Sequence, residues 1–123
     1  MKKSLFSLFL FTFLFSCEKD NDYLINFTIK NSSSKVFNGK IEPIVYLSQK
    51  PISEKKIVNL EPGEELALNF NPKEIKGLEG SYYITLSDPT GEMLRKEFGG
   101  FDGYDLYRGN YNIVIGDAEI LIK

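Results

Sequence analysis

The chain has no histidine and a single cysteine. Without histidine it lacks the commonest general base and the commonest transition-metal ligand. Serine–histidine and cysteine–histidine catalysis are therefore excluded, as are zinc sites of the usual kind. One cysteine cannot close an internal disulfide, so packing alone must hold the fold. A basic excess is also missing: 15 Lys and Arg stand against 17 Asp and Glu, a formal charge of −2. Such a balance has no electrostatic footprint for nucleic acid and no basic patch to lie flat on anionic lipid. The sequence has no internal repeat, no low-complexity tract and no helical pattern long enough for a βαβ crossover. Its 123 residues allow one domain with one modest core.

What is present begins with a leader. Met1-Lys2-Lys3 is a positive start, Ser4 to Phe15 is a Leu/Phe-rich apolar run, and Ser16 is a small residue before Cys17. The apolar run is about a dozen residues, and a spanning helix needs roughly 20. The alternative of a buried core helix fits poorly with a uniform Leu/Phe run that is N-terminal and preceded by two lysines. Leu14-Phe15-Ser16-Cys17 resembles the lipobox of bacterial lipoproteins, with Phe15 where that family often has a small residue. The resemblance implies that the Cys17 thiol receives diacylglycerol, that the chain is cut before it, and that the new amino group is acylated. Two or three chains on one cysteine make attachment effectively permanent, since each buried methylene contributes about 0.8 kcal/mol. Cleavage removes Lys2 and Lys3, which leaves 13 basic residues against 17 acidic ones, or about −4.

The expected organisation is a signal peptide over 1–16, a lipidated cysteine with a flexible acidic tether over 17–22, and a folded domain over 23–123. The tether, Glu18-Lys19-Asp20-Asn21-Asp22, is charged and poor in apolar groups. It resembles the export tag of lipoproteins displayed on the outer face of the outer membrane. Surface display is expected on that ground, with a periplasm-facing position as the alternative.

From Tyr23 onward the apolar residues recur with period two between frequent turn signals, the signature of strands. Ile25, Phe27 and Ile29 alternate with polar residues. Ile44, Tyr46 and Ser48 alternate with Val45, Leu47 and Gln49, and Pro43 suggests an edge or a strand start. Residues 56–60 form a short strand, Glu61-Pro62-Gly63-Glu64 a type II turn, and Leu66, Leu68 and Phe70 the returning strand. Asn71, Pro72 and Gly77 predict a short helical connector. Residues 81–98 read as a hairpin about Asp88-Pro89-Thr90-Gly91. Tyr111, Ile113 and Ile115 form a further strand, and Ile120 and Ile122 a last one after Gly116-Asp117. Seven or eight short strands with such spacing predict an all-β, antiparallel immunoglobulin-like β-sandwich.

Phe27 to Ser33, Val58-Asn59-Leu60-Glu61-Pro62-Gly63-Glu64, and Gly80-Ser81-Tyr82-Tyr83-Ile84 with Asp88 and Gly91 together resemble immunoglobulin-like bacterial modules of the cell-adhesion-related type. Residues 92–123 do not follow that family, and a sandwich fold does not imply a function.

The most unusual stretch is Phe98 to Asn110, which sets Phe101, Tyr104 and Tyr107 among four glycines. One reading is an aromatic loop that stacks on sugar faces or docks on a protein. The other is that the aromatics fold back to plug the sandwich end. Asp102 and Asp105, with Asp88 or Glu97, are candidates to ligate calcium, but their spacing matches no EF-hand loop. They read as solvated carboxylates, so no metal is expected. Two carboxylates can in principle run glycoside hydrolysis, yet no pattern here selects a pair. Lys50, Glu54, Lys55 and Lys56 read as a solvated face. The expectation is a non-catalytic lipoprotein with no cofactor, attached to a membrane through Cys17 and binding a glycan or a protein. An inhibitor of a hydrolase and a structural subunit of an outer-membrane complex are the alternatives.

Overall fold

The computed structural model describes residues 25–49, 51–75, 77–102 and 109–123. These residues form an all-β sandwich of eight strands: β1 (Ile25–Asn31), β2 (Phe37–Val45), β3 (Lys55–Leu60), β4 (Glu65–Phe70), β5 (Gly80–Ser87), β6 (Met93–Phe101), β7 (Asn110–Ile115) and β8 (Ile120–Ile122). One sheet runs β4-β1-β7-β8 and the other β3-β2-β5-β6. Period-two burial assigns the inner faces. Ile25, Phe27 and Ile29 of β1, Tyr82, Ile84 and Leu86 of β5, and Tyr111, Ile113 and Ile115 of β7 are all buried, while the residues between them are exposed or half-buried apart from Ser81 of β5. The two inner faces meet in one core. In one half of it, Phe27 has ring contacts with Phe70, Tyr82, Phe98 and Tyr111 at centroid distances of 5.2–5.7 Å.

The expectation of antiparallel pairing holds for every pair but one: β1 and β7 are parallel. Both strands run from the end of the sandwich where Ile25 begins, here called the proximal end, towards the distal end. The proximal end also carries the β2–β3 loop, the link from β4 to β5 and the link from β6 to β7. That β4–β5 link holds the expected connector as a 3-10 turn, Pro72–Ile75. Its start is capped by Asn71, whose Oδ1 accepts the Lys73 N–H at 3.0 Å.

The second strand differs from its expectation. It covers 37–45, so Tyr46 to Ser48 lie in the turn that follows it. Asn38-Gly39 reads locally as a turn signal, but Gly39 is required here by close approach: a Cβ on it would stand 1.9 Å from the Thr85 carbonyl oxygen. Pro43 is accommodated because β3 pairs with β2 only as far as Ile41, which faces Lys55, and the Pro43 carbonyl instead accepts from the Ile52 N–H at 3.1 Å.

The distal end is knitted together around Asn31, which is fully buried. Its Nδ2 donates to the Lys35 and Leu60 carbonyls at 2.7 and 2.8 Å, and its Oδ1 accepts from the Ser33 N–H and Oγ at 3.0 and 2.6 Å. The Asn31 carbonyl accepts from Gly63, whose φ of +84° suits the expected turn.

Candidate binding face and the predicted site residues

Because Tyr82, Ile84 and Leu86 point inward, Ser81, Tyr83 and Thr85 must point outward. The hairpin register then sets their neighbours. Tyr83 faces Glu42 of β2 on one side and Glu97 of β6 on the other, and Thr85 lies between Lys40 and Arg95. The outer face of β3-β2-β5-β6 thus carries a row of two carboxylates about a phenol, beside a row of two cations about a hydroxyl.

Glu97 accepts hydrogen bonds at Oε2 from the Ser81 hydroxyl and from the Tyr83 hydroxyl, the latter at 2.9 Å. The Ser81 bond, then the Tyr83 bond, hold its carboxyl below the usual carboxylate range. The same bond to Glu97 is the main reason the Tyr83 phenol is raised above its ordinary value. The Arg95 guanidinium lies 4.4 Å from the Tyr83 ring centroid, a cation–π contact. Across the face, Lys40 Nζ is 3.4 Å from both Glu42 and Glu54, and the Glu42 charge raises the Lys40 pKa. Lys40, Glu42 and residues 51–54 enclose a shallow groove of about 210 Å³. Ser81 and Glu42 are buried although they point outward, which shows how closely these side chains pack over the sheet.

The two hydroxyl hydrogens are spent on Glu97, so the arrangement offers a ligand the remaining acceptor capacity of the Glu97 carboxylate and the Arg95 guanidinium beside an aromatic ring. It suits recognition of hydroxyl or peptide groups. An ionised Glu97 can accept hydrogen bonds but holds no proton to give as a general acid. Sequence reasoning singled out Glu97 only as a possible cation ligand and missed this face. The signal was only partial: a two-residue turn at 88–91 would set Lys96 opposite Tyr83, and the observed register, with the Asp88 N–H on the Glu92 carbonyl at 3.0 Å and Gly91 at a φ of +89°, puts Glu97 there instead.

The predicted site residues fare differently. Phe101 is 3% exposed, and its ring lies 5.5 Å from that of Tyr82. It is a core side chain, so for this residue the plug reading is the one the structure supports. The physical reason is a bulge in β6. Phe98 pairs with Tyr82 and Phe101 with Gly80, so β6 has one residue more than β5 over that span. The extra residue turns Phe98 and Phe101, three apart, to the same inner face. Gly99 permits it with a φ of +65°, in a position where a Cβ would come within 2.7 Å of the Tyr111 hydroxyl oxygen. Tyr104, Tyr107 and Asp105 lie outside the described residues, as does Cys17.

Of the four carboxylates considered for calcium, the three described ones are not brought together. Asp102 follows β6 at the proximal end, and Glu97 sits on the outer face. Asp88 is at the distal end, where its Oδ1 accepts from the Thr90 hydroxyl and the Thr90 and Glu92 N–H groups and its Oδ2 faces Lys35 at 3.4 Å. The Thr90 hydroxyl is the main cause of a lowered Asp88 pKa. Among the described residues no group of three or more Cys, Asp or Glu side chains is placed to hold a metal ion. Of the lysine group, Lys56 is exposed, while Lys55 Nζ rests 5.4 Å from the Phe70 ring centroid.

No family model and no curated protein matches this chain. Among solved structures, it is similar to a protein from Eubacterium rectale, at a TM-score of 0.51 and 12% identity over 84% of this chain and 91% of that one. It also overlaps pneumolysin, at a TM-score of 0.41 and 12% identity over 81% of this chain and 23% of that one. For the membrane-binding domain of pneumolysin the TM-score is 0.38, with 12% identity over 81% and 96% of the two chains. At 12% identity the first likeness bears on the fold alone.

Proposed function

We propose that the chain is a lipid-anchored, non-catalytic binding module of the bacterial envelope. Diacylglycerol on Cys17 holds it at the membrane, and the outer face of β3-β2-β5-β6 recognises a glycan or a protein surface. The observation that carries the anchor is the leader itself: two lysines, an apolar run too short to span, and a cysteine in a lipobox-like setting. The reading of the folded part is supported by a packed sandwich whose outer face fixes Tyr83, Arg95 and Glu97 in one constellation. A binding role rather than a catalytic one is supported by the absence of histidine, which removes the commonest general base. The acidic tether after Cys17, which resembles an export tag, supports surface display at the outer membrane, with a periplasm-facing position as the alternative.

Two measurements test this. Mass spectrometry of the protein from bacterial membranes should show a chain beginning at a diacylated Cys17; an unmodified thiol or an intact Met1 would overturn the anchor. Glycan-array and pulldown experiments should find a ligand that is lost in a Tyr83→Ala, Arg95→Ala variant of unchanged fold. No ligand in either experiment would overturn the binding reading.

A further inference from the structure

Two adjacent apolar side chains project from the turn that follows β2. Leu47 is 97% exposed and Tyr46 51% exposed. The turn that carries them is closed: Gln49 N–H donates to the Val45 carbonyl at 2.8 Å, and Gln49 Nε2 donates to the Tyr46 carbonyl at 2.8 Å. Tyr46 N–H is fixed in turn on the Glu79 carbonyl at 2.9 Å. The side chains are therefore presented from a pinned backbone. The other large exposed apolar residues that the structure describes, Val58, Met93 and Leu121, are spread singly over other strands.

The turn lies at the proximal end, where β2 finishes and β1 begins. Cys17 precedes Ile25 by eight chain steps. A fully extended chain covers at most about 3.3–3.6 Å per step, so Ile25 stays within about 29 Å of the lipidated sulfur. The distal end lies one seven-residue strand from Ile25, roughly 23 Å at about 3.3 Å per residue. The tether thus keeps the whole domain close to the bilayer, and because its reach exceeds the strand length, the exposed Tyr46–Leu47 pair rather than the tether would select which end faces the lipid. Confinement raises the effective concentration of a weak contact enough for it to select an orientation. Leucine partitions into the acyl boundary, and tyrosine, with an apolar ring and a polar tip, favours the headgroup level.

We propose, resting on the lipoprotein reading above, that the Tyr46–Leu47 turn inserts into the lipid surface that holds Cys17. The domain then stands proximal end down, with its distal end and the β3-β2-β5-β6 face clear of the membrane. The lipid surface is chosen as occupant because the tether joins the domain at this end and keeps it within about 29 Å of the lipidated sulfur.

The test uses the full-length protein purified with its lipid from bacterial membranes. Lipidation consumes the Cys17 thiol, so a cysteine introduced elsewhere is the single labelling site. A polarity-sensitive fluorophore is placed at Ser48→Cys, at the turn, or at Ala118→Cys, in the distal β7–β8 turn. The protein is reconstituted into phosphatidylethanolamine–phosphatidylglycerol vesicles with or without spin-labelled lipid. Loss of emission to the quencher is expected at position 48 and not at 118, and Leu47→Asp should abolish the loss at 48. Equal quenching at both positions, no quenching at 48, or quenching at 48 unaffected by Leu47→Asp would overturn the inference while the protein still floats with the vesicles. A protein that stays in the aqueous fraction with a free Cys17 thiol would instead overturn the lipoprotein reading, and this inference with it.

Discussion

Replacing Phe101 by alanine separates a packing role from a binding role at the stretch that the sequence makes most conspicuous. Phe101 is 3% exposed, lies 5.5 Å from the Tyr82 ring, and has its ring tip where a Cβ on Gly80 would be only 2.7 Å away. Truncating a buried phenylalanine costs about 3–5 kcal/mol. The site lies where β6 ends, and local collapse there should keep the loss near about 3 kcal/mol. Domains of this size are stable by about 5–15 kcal/mol, so the variant should still fold. About 3 kcal/mol corresponds to a Tm lower by roughly 12–24 °C at about 4–8 °C per kcal/mol. Guanidinium titrations followed by tyrosine fluorescence and far-ultraviolet circular dichroism measure the loss directly. Gly80→Ala gives an independent check. Its methyl would also stand 2.1 Å from the Ile44 carbonyl oxygen, so shortening the Phe101 ring should not rescue it. A loss below about 1 kcal/mol for Phe101→Ala would refute the bulge argument and return Phe101 to the candidate ligand contacts.

Asn31→Ala removes the partners of the Lys35 and Leu60 carbonyls and of the Ser33 N–H, and should lower unfolding stability by about 1–3 kcal/mol with no change in secondary structure. Asp88 has a lowered folded-state pKa, caused first by the Thr90 hydroxyl. Its stabilising contribution is therefore present above the ordinary carboxylate range and is lost as pH falls through the folded value. Urea midpoints measured against pH should drop on the acid side, and Asp88→Asn should be less stable at neutral pH with a flatter acid limb; parallel curves would refute this. Glu97→Gln should bring the Tyr83 phenol down towards its ordinary ionisation, because the bond to Glu97 is the chief cause of its rise. An alkaline titration followed at the Tyr83 ring signals reads the change, and an unmoved curve would show that another neighbour sets it.

The candidate face was partly legible before folding was considered. Period two in Tyr82, Ile84 and Leu86 puts Ser81 and Tyr83 outside, but that Glu97 rather than Lys96 faces Tyr83 was decided by the closure of the hairpin between Asp88 and Glu92. The part contributed by β2 was hidden. Lys40 and Glu42 join that face only because a strand passes through Gly39 and Pro43, two residues that read as breakers when taken alone. Gly39 is tolerated there because Thr85 approaches it too closely for any side chain, and Pro43 because β3 has already diverged on its open side. Both reasons are contacts with distant segments, and neither is written in the neighbouring residues.

The same division runs through the whole molecule. Alternation of apolar and polar residues, with turn chemistry at 61–64, 71–77 and 88–91, depends on local backbone preference and on which side chains avoid water. Those two forces fixed an all-β sandwich, most of its strands and the sides they bury. Only the tertiary structure decided that β1 lies parallel to β7, that the β6 bulge turns Phe101 inward beside Phe98, and that Asn31 joins the distal loops. Each of these depends on register between strands far apart in the chain, where the free energy comes from packing and hydrogen bonds that no short segment can form by itself.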